Sequence, residues 1–190
     1  MNHQKEKTKR RTQTERRLIM RQSIIDSAIE LFGEKGYENT SLDQIASKAN
    51  ITTGPIYHYF KNKKDLFQNV TELLEKELFN DFQNFSVHEE NKIEIWETFL
   101  KKCLDPKFRQ IVLLDSPTLL GRDRWVNSNI TQKSLELFFG DVSKKHDPEV
   151  TLQKRMIIAA MTELAVFVAE YQTPENVVDL SRKVFLKLID

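Results

Sequence analysis

Residues 41–60 set two short amphipathic stripes on either side of Asn50-Ile51, with small residues, Ala46 and Ala49, where the two elements would cross. Two short helices joined by a tight turn are a helix-turn-helix, and this local pattern constrains the fold more than any other part of the chain. Ser41 can cap the first of these helices with Gln44 reaching back, and Leu42, Ile45, Ala46 and Ala49 supply its buried side. Thr52 is expected to cap the second. There Pro55 sits in the first turn, Ile56 and Phe60 face inward, and Tyr57 and His58 are left outside.

Helices flank the motif on both sides. Ile24, Ile25, Ala28, Leu31 and Phe32 share one face of a preceding helix that Gly36 is placed to end in a left-handed cap. After it, Asn62 and Asp65 open a fourth helix whose apolar stripe runs from Leu66 to Leu78 and on toward Phe82. The remainder reads as helices near 92–104, 106–114, 117–139, 149–171 and 175–189, parted by Pro106, Pro117, a loop at 144–148 and Pro174. No strand pattern persists, and five Gly and five Pro in 190 residues are too few turns for a β-sandwich. The expected fold is all-α: an N-terminal helix-turn-helix domain joined by a long helix to a C-terminal helical domain. The expected divisions are a basic arm over 1–14, the helix-turn-helix domain over 15–66 and a second domain over 67–190.

The net charge of +1 conceals an asymmetry. Residues 1–64 hold 13 of the 29 Lys and Arg but only 7 of the 28 Asp and Glu, so a basic N-terminal third precedes an acidic remainder. The basic end suits a polyanion. A duplex major groove, about 12 Å wide, admits one helix, whose leading residues approach base edges. Thr52, Thr53, Gly54 and Pro55 occupy that leading end.

The stretch ENTSLDQIASKANITTGPIYHYFKNKKDLF, from Glu38 to Phe67, resembles the DNA-binding signature of the TetR family, and IIDSAIELFGEKGY at 24–37 precedes it as in that family. The resemblance covers about the first third of the chain. It implies that Thr53, Gly54 and Pro55 face base edges, while Tyr57, Tyr59 and Lys63 touch phosphate or groove wall. Thr40 and Ser41, just before the second helix, and His58 complete the expected DNA-facing set. Pro55 can pack on a thymine methyl and Gly54 admits close backbone approach, so specificity rests partly on Thr53 and on DNA shape. Lys63, in the first turn of its helix, can hold a phosphate together with the free amides there. Asp43 departs from the basic residue some family members carry and is left out of the site.

Blander readings stand beside these. Tyr57 can be a half-buried aromatic of a small core, and His58 a solvent-exposed residue filling a helix position. The arm, Lys5 to Arg17, either enters a minor groove or is a solvated charge run that raises nonspecific affinity.

The second domain is less legible. Trp96, Phe99, Leu114, Trp125, Phe138, Met161 and Glu163 form the candidate effector pocket, though its aromatics read first as core. VLLDSPTLLGRDRW at 112–125 resembles a stretch in a subset of the family's effector domains, without naming a ligand. Glu163 lies within MIIAAMTELAVFVA, where an unpaired buried carboxylate is expensive. It pairs with Arg122, Arg124 or Arg155, or sits at a partly wet dimer interface, or attracts a cationic ligand. The last two helices carry more apolar residues than one packed face requires, which implies a partner surface; in this family such helices form a four-helix dimer interface. The partners expected are therefore double-stranded operator DNA, a second copy of the chain and an unknown small-molecule effector that relieves repression, with a regulator controlled by a protein partner or acting without ligand as the alternative and an enzyme as a third reading.

No catalytic residues, cofactor or metal are expected. There is no Gly-rich phosphate loop, no nucleophile with a neighbouring base, and His3, His88 and His146 are scattered. Cys103 is the sole cysteine, which excludes an intrachain disulfide. Met1 to Arg21 is too charged for a signal peptide and the run 156–171 too short to span a bilayer, so no membrane association and a cytoplasmic location are expected.

Overall fold

The computed structural model describes residues 12–85, 92–121, 123–124, 127–139, 148–170 and 174–189, and these are helices and their connections with no strand among them. Helix α1, Gln13–Lys35, is opened by a capping box: Thr12 Oγ1 accepts from the Glu15 amide at 3.2 Å, and Glu15 Oε2 accepts from the Thr12 amide at 2.7 Å. The helix thus starts inside the stretch expected as arm, and Thr12-x-x-Glu15 was the signal that marked it. Residues 1–11 lie outside the described residues. The apolar face of α1 becomes buried only at Ile24, so Leu18 and Ile19 are exposed on its first turns.

Gly36 ends α1 with φ +75° and ψ 165°, its amide bonded to the Phe32 carbonyl at 2.9 Å. The positive φ is as expected, but the ψ lies outside the left-handed helical region, in an extended conformation open essentially to glycine alone. Helix α2, Leu42–Lys48, carries the expected Ser41–Gln44 capping box. Asn50, at φ +55°, turns the chain into α3, Thr53–Tyr59. Helix α4, Lys63–Phe82, is capped by Asn62 Oδ1, which accepts from the Asp65 amide at 2.9 Å.

Helix α5, Lys92–Leu104, falls where the periodicity placed it. The expected helix 106–114 is more complex. Asp105 caps the short α6, Pro106–Phe108, which runs into a π-helical segment, Arg109–Asp115, and then α7, Ser116–Leu120. The single helix expected over 117–139 is interrupted: α7 stops at Gly121, whose φ of +93° leaves the helix, and α8, Asn129–Phe139, begins beyond Ser128, whose Oγ accepts from the Thr131 amide. Helices α9, Pro148–Glu170, and α10, Pro174–Ile189, match their expected bounds within one residue.

One hydrophobic core runs from Ile24, Ile45, Ile56 and Phe67 through Phe82, Trp96 and Phe108 to Met161 and Phe185. Helix α1 belongs to both ends of it, packing on α2 and α4 and also on α6 and the π-helical segment. A β-carbon on Gly33 would stand 2.9 Å from Lys107 Cα, so the backbones meet there with no room for a side chain. Beside that contact Lys107 Nζ pairs with Glu30 Oε1, and this hydrogen bond lowers the Glu30 pKa and raises that of Lys107. Trp96 stacks on Phe185, centroids 4.9 Å apart, and donates from Nε1 to Ser181 Oγ at 3.3 Å, tying α5 to α10. Among the described residues no helix is long and apolar enough to cross a membrane.

Candidate nucleic-acid interface

Burial orients the short helix α3. Ile56 and Phe60, four apart, are locked into the core, so α3 turns its opposite side outward. Thr52, Gly54, Tyr57 and His58 are exposed, Tyr57 at 60% of its surface, while Thr53, Pro55 and Tyr59 are half-buried. Tyr57 is therefore an outward aromatic, and the reading of it as core does not hold. His58 and Tyr59 stack edge to face at 5.1 Å. Thr52 occupies the N-cap position but its hydroxyl makes no capping bond, a correction to the expected cap, and the residue is exposed. Arg21 braces the inner side of the motif, its guanidinium 5.3 Å from the Phe60 ring and bonded to Asn69 Oδ1 at 2.8 Å.

Beside α3 lies a hollow of about 470 Å³ whose lining includes Thr40, Ser41, Gln44, Tyr57 and Lys63. The fold thus brings four expected DNA-facing residues to one place. Two of them make internal bonds that the sequence did not announce. Thr40 is buried, and its hydroxyl donates to the carbonyls of Leu31 at 3.1 Å and Gly36 at 2.9 Å, so its side chain fastens α1 to the loop rather than reaching outward. Lys63 spends two of its three N–H groups on backbone, donating to the Tyr37 and Thr40 carbonyls at 2.8 and 2.9 Å, with Nζ 4.0 Å from the centroid of the Tyr37 ring. Among the described residues no carboxylate pairs with this ammonium; carbonyls and a ring face hold the charge in place without cancelling it.

Of the residues expected to form an effector pocket, the fold brings Trp96, Phe99 and Met161 into one buried cluster. All three are buried, with the Trp96 and Phe99 rings 5.8 Å apart. Leu114 and Glu163 are exposed, which removes them from any interior lining. Trp125 and the Phe138 side chain fall outside the described residues, as does Arg122. The expected arginine partners of Glu163 are engaged elsewhere: Arg155 with Asp123 at 2.8 Å, and Arg124 with Glu75. Glu163 instead shares an exposed face of α9 with Leu152, Met156, Ala159 and Phe167, at helical spacing.

An open cleft of about 780 Å³ lies between α4 and the segment leading into α8. Its lining mixes polar residues, including Lys76, Asn80, Gln83, Asn127 and Asn129, with the apolar surface of Phe79, Ile130 and the side-chain stems. At its edge Arg124 makes two bonds to the buried Glu75, Nη1 to Oε1 at 2.7 Å and Nη2 to Oε2 at 2.9 Å. Burial raises the Glu75 pKa although Arg124 opposes the shift. Periodicity could not find this pair, since Glu75 stands on the apolar side of α4 and its partner is 49 residues away. Cys103 is buried, and burial raises its pKa, which leaves little thiolate for chemistry. Among the described residues no three His, Cys, Asp or Glu side chains group to hold a metal.

Comparison with known proteins accounts for both halves. Residues 24–70 match the family described as bacterial regulatory proteins, tetR family, and residues 91–190 match a tetracyclin repressor-like C-terminal domain. Among curated relatives, the chain is 47% identical over 58 residues to the HTH-type transcriptional regulator AcrR of Shigella flexneri, covering 30% of this chain and 27% of that one. It is 38% identical over 74 residues, 38% of each chain, to the negative transcriptional regulator IcaR of the Staphylococcus epidermidis biofilm operon icaADBC. Matching segments thus span well under half of these relatives. A solved TetR-family regulator from Shewanella sp. PV-4 superposes with a TM-score of 0.71 at 20% identity, over 90% of this chain and 95% of that one, which shows the shared fold.

Proposed function

Because this chain belongs to the TetR family of bacterial regulatory proteins, we propose that it is a sequence-specific repressor of transcription that binds a palindromic operator in double-stranded DNA as a homodimer. The observation that carries the reading is the outward face of α3, with Thr52, Thr53, Gly54 and Tyr57 presented on a core that Ile56 and Phe60 hold rigid. On this reading residues 15–66 are the DNA-binding domain and 67–190 the effector and dimerisation domain, and the chain works in the cytoplasm without catalytic activity.

One seven-residue helix reads too few base pairs for useful selectivity, so dimerisation has a physical motive. The exposed apolar face of α9, Leu152, Met156 and Phe167, together with Leu180 and Val184 on α10, supplies the surface. Glu163 then lies in that seam with water access. The effector belongs in the open cleft beside Glu75 and Arg124, whose lining of amide side chains with Phe79 and Ile130 suits a small molecule that carries both polar groups and an apolar part. Binding there shifts α4, which carries Lys63 at its other end, and changes the spacing of the two recognition helices.

Selection of bound duplexes from a random pool tests the reading. The expected product is a palindrome whose half-sites lie about 34–36 Å apart, one helical turn. Thr53→Ala should change the preferred bases within each half-site. A selected pool with no shared sequence would sink the proposal.

A further inference from the structure

Residues 37–40, the loop between α1 and α2, are held from two directions. From the side of α4, Lys63 Nζ donates to the carbonyls of Tyr37 and Thr40. From the C-terminal half of the chain, Asp115 Oδ2 accepts the Tyr37 amide at 2.8 Å across 78 residues of sequence. The other carboxylate oxygen, Oδ1, accepts from Gln110 Nε2 at 3.1 Å, which fixes the rotamer that reaches Tyr37. A carboxylate bonded to a backbone N–H is a charge-assisted contact, stronger than the neutral bonds around it. Asp115 is the last residue of the π-helical segment, a backbone form that recurs at functional positions because it re-aims side chains that a regular helix would point elsewhere.

We propose that Asp115 is a positioning residue for DNA recognition: it pins the Tyr37 amide, and so sets the loop from which α2 and the recognition helix depart. The inference rests on the DNA-binding reading above. Three features converge on it. Gly36, immediately before Tyr37, has the one side-chain-free conformation that lets the chain turn under Asp115. Gly33 and Glu30, one and two turns back, already dock α1 on Lys107, so Tyr37 extends a continuous seam between α1 and the segment that begins at α6. Ser41, four residues past Tyr37, caps α2 and lines the hollow beside Tyr57 and Lys63. Displacement of the π-helical segment therefore reaches an end of the DNA-facing surface through this hydrogen bond as well as through the packing of α1, with no contact between Asp115 and DNA required.

Asp115→Ala and Asp115→Asn, compared with the wild-type full chain, test it. Expected for Asp115→Ala are an operator affinity lower by about tenfold, unchanged affinity for random duplex, and faster hydrogen exchange at the Tyr37 amide. Asp115→Asn keeps an oxygen that accepts the same N–H, so exchange protection and most of the operator affinity should return. Should Asp115→Ala lose helix content, Gln110→Ala, which frees the carboxylate rotamer only, reads the same effect at about threefold. Unchanged operator affinity in the alanine variant overturns the proposal, as do equal losses on operator and random duplex or an asparagine variant as impaired as alanine. A wild-type protein without operator preference overturns the DNA-binding reading as well, whereas the alanine variant overturns only the role of Asp115.

Discussion

Lys63 engages Tyr37 twice, donating from Nζ to its carbonyl at 2.8 Å and placing the same ammonium 4.0 Å from the centroid of its ring. The lysine is thereby both a fastener and a fixed positive charge at the edge of a hollow that Tyr57 also lines. Carbonyls orient the ammonium without neutralising it, so an anion arriving in the hollow meets a charge already in place.

Lys63→Met is accordingly expected to show two effects. Loss of two charge-assisted bonds to backbone carbonyls should lower the unfolding free energy by about 2 kcal/mol in urea titrations. Loss of the charge should reduce the slope of log affinity against log salt by about one unit, on operator and random duplex alike. A lower stability with an unchanged slope would show that the ammonium only fastens the loop.

Gly33→Ala separates helix propensity from packing. In the interior of an exposed helix the change should stabilise by about 1 kcal/mol. Here the new β-carbon would lie 2.6, 2.7 and 2.9 Å from Lys107 Cγ, Cβ and Cα, and the last of these is backbone. The expected outcome is a net loss of about 1–3 kcal/mol, because α1 must move off α6. Thermal unfolding with the melting temperature raised would refute this close approach.

What the sequence revealed follows from the range of each interaction. Ser41 with Gln44 and Asn62 with Asp65 are pairs three residues apart, and both sit where local capping chemistry put them. Ile24, Phe32, Ile56 and Phe60 were legible for the same reason, since their burial follows from helical period alone. Thr40 and Lys63 were not, because their partners are carbonyls fixed only when α1, the loop and α4 assemble. The pairing of Glu163 with Arg124 or Arg155 did not hold, because α9 has apolar residues around much of its circumference, and period cannot say which side of such a helix meets the core. Gly121 gave a signal, a glycine within a long apolar stretch, that Pro117 nearby overshadowed.

Arg124→Ala isolates the cost of Glu75. With its guanidinium gone, a largely buried carboxylate keeps no ion-pair partner among the described residues, and the expected loss at neutral pH is about 3 kcal/mol. Its pKa is already raised by burial in the intact protein and should climb further in the variant. A carboxyl whose folded-state pKa exceeds its unfolded value binds its proton more tightly when folded, so stability falls as pH rises through that window. The deficit of Arg124→Ala relative to wild type should therefore be largest at neutral pH and shrink as the pH approaches the ordinary carboxylate range. Denaturant titrations at a series of pH values read this directly, and a deficit that grows on acidification would contradict it.

Met156 is 63% exposed in the middle of the α9 face that also carries Leu152, Ala159, Glu163 and Phe167. An apolar stripe of this kind, continued by Leu180 and Val184 on α10, is the expected dimer surface, and a second carboxylate near Glu163 would be desolvated beside a like charge. Met156→Glu should therefore shift the protein from dimer to monomer in sedimentation while leaving its helix content intact. Operator affinity should fall by at least about a hundredfold, since each monomer keeps one short recognition helix, whereas random-duplex binding per monomer should change little. The two losses must appear together. A Met156→Glu protein that stays dimeric at micromolar concentration would place the dimer contact elsewhere, and a monomer with full operator affinity would remove the requirement for paired recognition helices.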